Sequence, residues 1–440
     1  MALTLAQKLL ARASGRDTVK PGEIVTCKVD LAMMHDSGGP RRIAPLLAEL
    51  GAKPWDPDKI VVITDHYLPA YDDESRNIIR IAQDWVKAEG VTRFHDNMGI
   101  CHVVLPEQGH LKPGMFVVGG DSHSCTGGAF GAYVLGVGST EMFGVVATGE
   151  IWIRVPETIL IEWQGKFGAA VSAKDSMLYL CGQLGLDGGD YQAVEYTGSA
   201  IAALSMQERM TLSNMTAEIG GQVGLVAPDE TTRTYLAAAG AKDIDITRWH
   251  TDADADILAH HRFNASELSP QVAAPGSPTH TKSVGEFAGE RIDIAYIGAC
   301  TGAKLDDLRM AAKVFKGRQA AKGVRLMVAP ASKKDQKQAA DEGVMDILIA
   351  AGAQVLPNTC GVCAGYGEYR FAENEVIISS TARNFKGRMG ADSAQVYLGS
   401  PYTVAASAIT GRISNPMVAC LALRITWRSA GDTTKAIRSN

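Results

Sequence analysis

The stretch VLPNTCGVCAGYG places two cysteines, Cys360 and Cys363, three positions apart at the end of a short apolar run. Such a pair is typical of thioredoxin-like redox sites, of half a zinc site, and of buried structural cysteines. A third cysteine, Cys300, follows another predicted strand in IGACTGA, so its thiol could reach the same sheet edge. Three thiolates without an obvious fourth do not suit a closed four-thiolate zinc site. They suit a [4Fe-4S] cluster with one open iron, a Lewis acid that can bind a substrate hydroxyl and carboxylate.

Histidines and acids also follow predicted strands. Asp65 and His66 come after KIVVIT, Asp121 and His123 come after GMFVVGG, and His102 lies in GICHVV. Each histidine could find an acid partner that fixes its tautomer and supports an imidazolium for acid–base catalysis. Taken singly, however, a histidine near a strand end is more often a packed or capping residue.

The elements that must position these side chains follow an α/β pattern. Short β-rich runs are each followed by a glycine-rich or polar loop and then by a helical pattern, which indicates mostly parallel sheets flanked by helices. KIVVITD predicts a strand and DDESRNIIRIAQDWVKAEG a helix that ends near Gly90. GMFVVGG, RIDIAYIGA, AQVLPNT and EVIISST predict further strands. Reactive residues follow the carboxyl end of each strand, where open α/β sheets bind ligands.

Length and composition narrow the class of protein. A chain of 440 residues is expected to form roughly two to four compact units. The net charge of -5 and the lack of a long Lys/Arg run argue against nucleic-acid binding as the main function. No apolar run approaches the ~18 residues of a membrane helix, and the N-terminus predicts an amphipathic helix rather than an export signal. Eight unevenly spaced cysteines favour free thiols or metal ligands over disulfides, so we expect a cytoplasmic protein.

Nine motifs carry a resemblance to a known family. They are VDLAMMHDSGGP, ITDHYLPA, GICHVVLPEQG, GGDSHSCTGGAFGAYVLGVGSTEM, SNMTAEIGG, CTGAKLDDL, CGVCAG, RNFKGRMG and SPYTVAASAITGRISNP, in the family's order over about residues 25 to 416. The chain resembles large subunits of the aconitase superfamily, close to isopropylmalate dehydratase, homoaconitase, dimethylmalate dehydratase and maleate hydratase. The resemblance implies three aconitase-type domains around an iron-sulfur crevice, at residues 1–164, 165–283 and 284–425. The composition of SPQVAAPGSPTHTKS predicts a linker at residues 269–283, and residues 426–440 predict a polar tail.

The resemblance also implies a role for each motif residue. The ligands of the [4Fe-4S] cluster would be Cys300, Cys360 and Cys363. The catalytic acid–histidine pairs would be Asp65 with His66, Asp121 with His102, and Glu218 with His123. The substrate would be bound by His35, Ser122, Asn214, Arg383 and Arg388. Within these sets, His66 is the first choice for protonating the departing hydroxyl. The other cysteines are predicted to be small buried hydrophobes: Cys27, Cys101, Cys125, Cys181 and Cys420.

The activity implied by the resemblance is that of a hydro-lyase. Its substrate would be a small 2-hydroxy di- or tricarboxylate, with 3-isopropylmalate or a methyl-substituted malate ahead of homoaconitate. The catalytic base and further arginines are expected from a separate small swivelling-domain subunit, because single-chain aconitases carry them in a fourth domain that has no counterpart here. No nucleic-acid or membrane partner is expected.

Three positions depart from the family pattern. Ala299, Gly302 and Ala382 stand where the family commonly has Ser, Asn and Asn, so the hydrogen bonds around the cluster and substrate are expected to differ. A degenerate cluster-bearing scaffold or regulator is therefore one alternative. An RNA-binding regulator is another, against which the negative net charge argues.

Overall fold

Helices and strands alternate along the computed structural model, which describes residues 2–417. Its helices are α1 (Leu5–Ser14), α2 (Pro40–Leu50), α3 (Asp73–Ala88), α4 (Cys101–Glu107), α5 (Ser139–Thr148), α6 (Ala173–Leu184), α7 (Ser199–Ala202), α8 (Met206–Met215), α9 (Glu230–Ala238), α10 (Leu305–Phe315), α11 (Lys333–Asp341), α12 (Val344–Ala350), α13 (Gly361–Ala364) and α14 (Pro401–Thr410). Its strands are β1 (Ile24–Lys28), β2 (Leu31–His35), β3 (Ile60–Thr64), β4 (Arg93–Asp96), β5 (Phe116–Gly119), β6 (Tyr133–Gly136), β7 (Glu150–Arg154), β8 (Thr158–Gln164), β9 (Ala193–Thr197), β10 (Val223–Val226), β11 (Ala259–Asn264), β12 (Gln271–Ala273), β13 (Thr281–Ser283), β14 (Ile294–Ile297), β15 (Arg325–Val328), β16 (Gln354–Val355), β17 (Val376–Ser379) and β18 (Gln395–Gly399).

A five-stranded parallel sheet forms the first layer, with strand order β4-β3-β2-β5-β6. Its central strands are buried on both faces, so they are nearly continuous apolar runs rather than alternating ones. Ile60 and Val62 pack with α1, α2, α3 and α5. Val61 and Ile63 point to the other face and pack with α4 and α8.

Two further sheets lie later in the chain. A four-stranded sheet is parallel throughout, with strand order β10-β9-β8-β11. A seven-stranded sheet has the order β13-β12-β18-β17-β14-β15-β16, and only the pairings of β12 are antiparallel. β1 and β7 form a separate antiparallel ribbon. The predicted α/β class with mostly parallel, helix-flanked sheets is confirmed.

The stretch predicted as a linker is part of the third sheet. β12 and β13 pair with each other around a turn at Gly276, where φ is 98°, and β12 also pairs with β18. The Pro, Ser and Thr content therefore marked the turn of a hairpin, and the linker prediction was wrong. The last residue of the predicted first domain, Gln164, ends β8 of the four-stranded sheet. We propose that the boundaries lie instead just before β8 and just before β12.

The individual elements predicted from the sequence are present. The strand at KIVVITD is β3, the following helix is α3, and the amphipathic N-terminal helix is α1, with a capping box between Thr4 and Gln7. No helix within residues 2–417 is both long and apolar enough to cross a bilayer. The predicted polar tail and Cys420 lie outside the described residues.

Candidate active site

The carboxyl ends of strands from the five-stranded and seven-stranded sheets surround a cavity of about 260 Å³. The predicted site residues that line it are His35, His66, His102, Asp121, Ser122, His123, Cys300, Cys360, Cys363, Arg383 and Arg388. Asp65, Asn214 and Glu218 do not line it but hydrogen-bond to residues that do. A larger groove of about 700 Å³ runs along β7 and contains none of the predicted residues.

The loop after β3 is held in place by Asp36, a buried residue that the sequence analysis did not single out. Asp36 Oδ1 accepts hydrogen bonds from the backbone N–H groups of Asp65 (3.1 Å) and His66 (3.0 Å). Its Oδ2 accepts from the N–H of Tyr67 at 2.7 Å. One carboxylate thus fixes three consecutive peptides, which sets the direction of the His66 side chain. The only sequence signal was an acid directly after a buried strand.

His66 is held by Asp65 in an orientation suited to a proton donor. His66 Nδ1 lies 2.6 Å from Asp65 Oδ1, and Asp65 Oδ2 accepts the N–H of Cys101 at 2.8 Å. Burial acts to lower the pKa of His66, but the carboxylates of Asp65, Asp121 and Asp36 raise it well above its usual value. His66 Nε2 lies 3.7 Å from Asp121 Oδ2. The ring is therefore an imidazolium at neutral pH, with a transferable proton on Nε2.

His35 stacks against His66, with ring centroids 4.1 Å apart. Its Nδ1 accepts from the N–H of Ser37 at 3.2 Å, and its Nε2 lies 2.9 Å from the carbonyl oxygen of Gly120. Burial and the nearby charge of His66 lower the pKa of His35, so this ring is neutral. Both ring nitrogens of His35 thus contact backbone groups, and the ring supports His66 by stacking on it.

Asp121 is shared by several histidines. Its Oδ1 accepts from His102 Nε2 at 2.9 Å and from the N–H of His123 at 2.8 Å. Burial would raise the pKa of Asp121, but His102, His123 and His66 together hold it well below the usual value. Asp121 is therefore a strong counter-charge for the histidines but a weak base.

Arg383 is tied to Glu218, across 165 positions of the chain. Arg383 Nε donates to Glu218 Oε1 at 2.8 Å and to Oε2 at 3.0 Å, and its Nη1 donates to Ser122 Oγ at 3.0 Å. Glu218 Oε1 also lies 2.8 Å from His123 Nε2. Burial opposes the charged form of Glu218, but His123 and Arg383 lower its pKa. By contrast, Arg388 Nε is buried without a hydrogen-bond partner among the described residues.

The three predicted thiols lie on the seven-stranded-sheet side of the cavity. Cys300 Sγ accepts from Asn214 Nδ2 at 3.2 Å, and the N–H of Cys360 donates to the Asp65 carbonyl at 2.9 Å. The thiols of Cys300, Cys360 and Cys363 do not form a group with all ligand atoms within 4.8 Å of one another in the described part of the chain. The predicted structural cysteines in residues 2–417 are buried and free: Cys27, Cys101, Cys125 and Cys181.

The departures from the family pattern have local structural counterparts. A Cβ at Gly302 would overlap the side chain of Ser380 and would lie 2.5 Å from the Ser380 carbonyl oxygen. Ser380 Oγ donates to the carbonyls of Gly298 (3.1 Å) and Gly302 (3.2 Å), so it occupies the space that a larger residue at 302 would need. Ala299 has φ 69°, and Ala382 is fully buried.

The contact between Gly302 and Ser380 predicts a loss of stability when an asparagine replaces the glycine. We expect Gly302→Asn to lower the free energy of unfolding by about 1–3 kcal/mol, because the new side chain must be forced against both the side chain and the carbonyl oxygen of Ser380. Denaturant unfolding would measure it. In a double-mutant cycle with Ser380→Gly, which removes the side-chain part of the overlap, the two variants together should lose less stability than the sum of their separate losses, and strict additivity would contradict a clash with the Ser380 side chain.

Comparison with known proteins gives a consistent result. The model of the aconitase family (aconitate hydratase) matches residues 7–291 and 282–411. The chain is 44% identical over 417 residues to the probable 3-isopropylmalate dehydratase large subunit of Methanothermobacter thermautotrophicus, covering 94% of this chain and 99% of that one. It is 43% identical over 419 residues to the 3-isopropylmalate dehydratase large subunit 1 of Methanopyrus kandleri, with the same coverage of 94% and 99%.

Two other matches differ in name or strength. The probable methanogen homoaconitase large subunit of M. thermautotrophicus is 40% identical over 419 residues, covering 94% of this chain and 97% of that one. The solved holo-form of Thermococcus kodakaraensis aconitase X covers 86% of this chain and 89% of its own, with a TM-score of 0.49 and 15% identity, which is too weak to carry an argument. The family match spans most of the chain, and the relatives are aligned over nearly their whole length. The chain therefore belongs to the aconitase family and is a hydro-lyase of that superfamily.

Proposed function

We propose that this chain is the catalytic large subunit of a [4Fe-4S]-dependent hydro-lyase that acts on a small 2-hydroxy di- or tricarboxylate. The observation that carries the proposal is one cavity lined by an imidazolium, three thiols and two arginines. Removal of water from a hydroxy acid needs these three functions: a proton for the leaving oxygen, a Lewis acid, and cations for the carboxylates.

The thiols fit a cluster better than a single ion. Sulfurs around one tetrahedral Zn²⁺ lie about 3.8 Å apart, given metal–sulfur bonds of about 2.3 Å. Cys360 and Cys363 interact directly, but the three sulfurs of Cys300, Cys360 and Cys363 do not all lie within 4.8 Å of one another in the described residues, a spread that a larger polynuclear cluster accommodates. When bound, the cluster supplies an iron without a protein thiolate, which acts as a Lewis acid toward the substrate hydroxyl. Burial raises the pKa of the Cys300 thiol to about 12, and the hydrogen bond from Asn214 to Cys300 Sγ acts against this shift.

Arg388 is the better candidate for the first substrate carboxylate. Its buried Nε has no hydrogen-bond partner within residues 2–417. By contrast, Arg383 already donates from Nε to Glu218 and from Nη1 to Ser122. A guanidinium can bind a carboxylate through two parallel hydrogen bonds, and an unpaired buried donor gains most from such a ligand. In this arrangement Arg383 could offer its Nη2 group to the substrate, and its hydrogen bond to Ser122 Oγ fixes the position of that side chain.

His66 is the candidate general acid. Asp65 holds its Nδ1–H and leaves the Nε2 proton for the departing hydroxyl oxygen. The same dehydration also requires abstraction of a proton from the carbon next to a carboxylate, and this half of the reaction needs a base. Asp121 is a poor one because the histidines hold its pKa low. This supports a base supplied by a second polypeptide, a small swivelling-domain subunit, and the names of the relatives as large subunits agree with a two-chain enzyme.

The substrate proposed first is 3-isopropylmalate or a methyl-substituted malate. Several relatives at 41–44% identity are named 3-isopropylmalate dehydratase large subunits, and one at 40% is named for homoaconitase. The group on C3 of the substrate would contact the small subunit in part, so a homoaconitate-type substrate takes second place.

A direct test is to assay the chain with and without a small subunit. We expect the chain alone to be inactive. The complex should exceed the background rate of the chain alone by about 10²–10⁴, the range that a positioned base contributes. The substrates would be 3-isopropylmalate, 2,3-dimethylmalate, homoaconitate and maleate. Each reaction would be measured by the change in ultraviolet absorbance as the unsaturated acid forms or is consumed.

Two outcomes would contradict this proposal. Full turnover by the purified chain, with mass spectrometry showing no second polypeptide, would exclude the role assigned to the small subunit. A cluster-loaded complex without activity on any of these acids would instead favour the scaffold or regulator alternative.

A further inference from the structure

Within the part of the chain that the structure describes, Lys174 is a buried cation without an acidic partner. It is the second residue of α6 and is 1% exposed. Its Nζ donates to the Thr381 carbonyl at 2.6 Å and lies 3.5 Å from Thr301 Oγ1. No carboxylate oxygen in the described chain forms an ion pair with it. The adjacent Asp175 instead caps the helix and accepts the N–H of Gln271.

This position is unfavourable for an isolated ammonium. Burial removes its hydration, and the N-terminus of a helix carries a partial positive charge that repels a cation. Burial lowers the pKa of Lys174 to about 8, although Glu218 and the nearby cysteines act to raise it. Lys304, the other fully buried lysine within residues 2–417, has a local counter-charge, because its Nζ lies 2.7 Å from Asp307 Oδ2. Lys174 has no such partner among residues 2–417.

The neighbours of Lys174 indicate where its counter-charge belongs. Thr301 directly follows Cys300, and its Oγ1 donates to the Ser380 carbonyl at 3.0 Å. The ammonium therefore contacts the loops after β14 and β17, which are joined by the hydrogen bond between Thr301 and Ser380, and it lies outside the cavity. Glu218 is already balanced by Arg383 and His123, so it is not free to neutralise Lys174. Three thiolates outweigh the charge of an oxidised cluster core, which leaves a net negative group on the other side of the Cys300 loop.

We propose that Lys174 is the buried counter-cation of the cluster held by Cys300, Cys360 and Cys363, and that it raises the reduction potential of the cluster and favours its retention. This inference rests on the proposed function for the presence of the cluster. Lys174 does not line the cavity, so it acts as a positioning and charge-balancing residue. Reduction adds negative charge, which a nearby cation stabilises, so removing that cation lowers the potential.

Two substitutions separate charge from hydrogen bonding. Lys174→Met keeps the length of the side chain and removes its charge, and Lys174→Gln keeps an N–H donor without charge. Lys313→Met, at an exposed position of α10, is the control with the same change in net charge. The measurement is a redox titration of the cluster-loaded chain, monitored by electron paramagnetic resonance. At a fixed potential, both Lys174 variants should have a reduced-to-oxidised ratio about tenfold lower than the parent. For a one-electron couple this corresponds to a reduction potential lower by about 59 mV. The control should leave the ratio unchanged.

Thermal unfolding of the full chain with and without cluster excludes a purely structural role. Without cluster, Lys174→Met is expected to unfold at the same temperature as the parent or higher, because an uncompensated buried charge is gone. The stabilisation gained on loading the cluster should be smaller than in the parent. Equal losses in both states, failure of the variant to fold, or an unmoved potential would overturn the role of Lys174. A parent chain that binds no iron would instead overturn the proposed cofactor, whereas loaded chains without hydro-lyase activity would leave the Lys174 result standing.

Discussion

Changing Cys360 to Ser is expected to abolish the activity of the two-chain complex and the broad visible absorbance of the cluster. Three thiolates are the proposed protein ligands, and a neutral serine hydroxyl is a poor substitute for any of them. The fold should persist, because serine is nearly isosteric and the N–H of residue 360 can still donate to the Asp65 carbonyl. Cys300→Ser and Cys363→Ser should behave alike. Iron and sulfide analysis, visible spectra and circular dichroism of the anaerobically loaded chain would measure these effects.

Cys27→Ser is the matched control. Cys27 is fully buried in β1, outside the candidate site, and burial raises the pKa of its thiol to about 12. This variant should lose some stability, because a hydroxyl is buried, but should keep the cluster and the activity. A full cluster in Cys360→Ser, or stoichiometric zinc without iron in the parent chain, would contradict the ligand assignment.

The sequence predicted where the reactive residues lie because parallel strands have a local signal. Asp65 and Asp121 each follow an apolar run, and the carboxyl ends of β3 and β5 lie on one sheet edge. The pairing of His123 with Glu218 has no such signal, since the two residues are 95 positions apart. Only the family resemblance brought them together. Composition and spacing alone left each histidine as a packed or capping residue.

Two residues were missed for different physical reasons. The carboxylate of Asp36 accepts hydrogen bonds from three backbone N–H groups. Because its partners are backbone groups, no pair of reactive side chains in the sequence indicates this contact. Lys174 stands in SAKDS at the start of an ordinary helix, and its burial depends on α6 packing against loops from the third sheet. The linker prediction at β12 and β13 was wrong for a similar reason. Its partner strand β18 lies far along the chain, so local composition could not show the pairing.

The candidate site is built so that negative charge accumulates around His66. Asp36, Asp65 and Asp121 all lie near its ring, while burial and the charge of His66 lower the pKa of His35, which stacks on it, and keep it neutral. A second positive ring at His35 would repel the imidazolium and lower its pKa. The neutral neighbour therefore serves the same purpose as the acids, which is to keep the proton on His66 at neutral pH.

Replacing His66 by Gln is expected to lower kcat of the complex by about 10²–10⁴, the usual contribution of a positioned general acid. Glutamine can still donate an N–H to Asp65, so the loop should keep its conformation, but an amide cannot deliver a proton to the leaving oxygen. Cluster content and circular dichroism should match those of the parent, which separates loss of the proton from loss of the cofactor. Unchanged kcat in His66→Gln would exclude His66 as the acid.

The pH dependence of kcat gives an independent check through Asp65→Asn. Among the charges around His66, Asp65 does most to raise the pKa of that ring, whereas burial acts to lower it. With a neutral amide at position 65 the pKa of His66 should fall, so the acid form should be lost at a lower pH than in the parent. In the dehydration direction, the alkaline limb of the pH–rate profile should therefore move toward acid pH, while kcat at low pH falls much less than in His66→Gln. An alkaline limb that stays in place would show that a group other than His66 carries the proton.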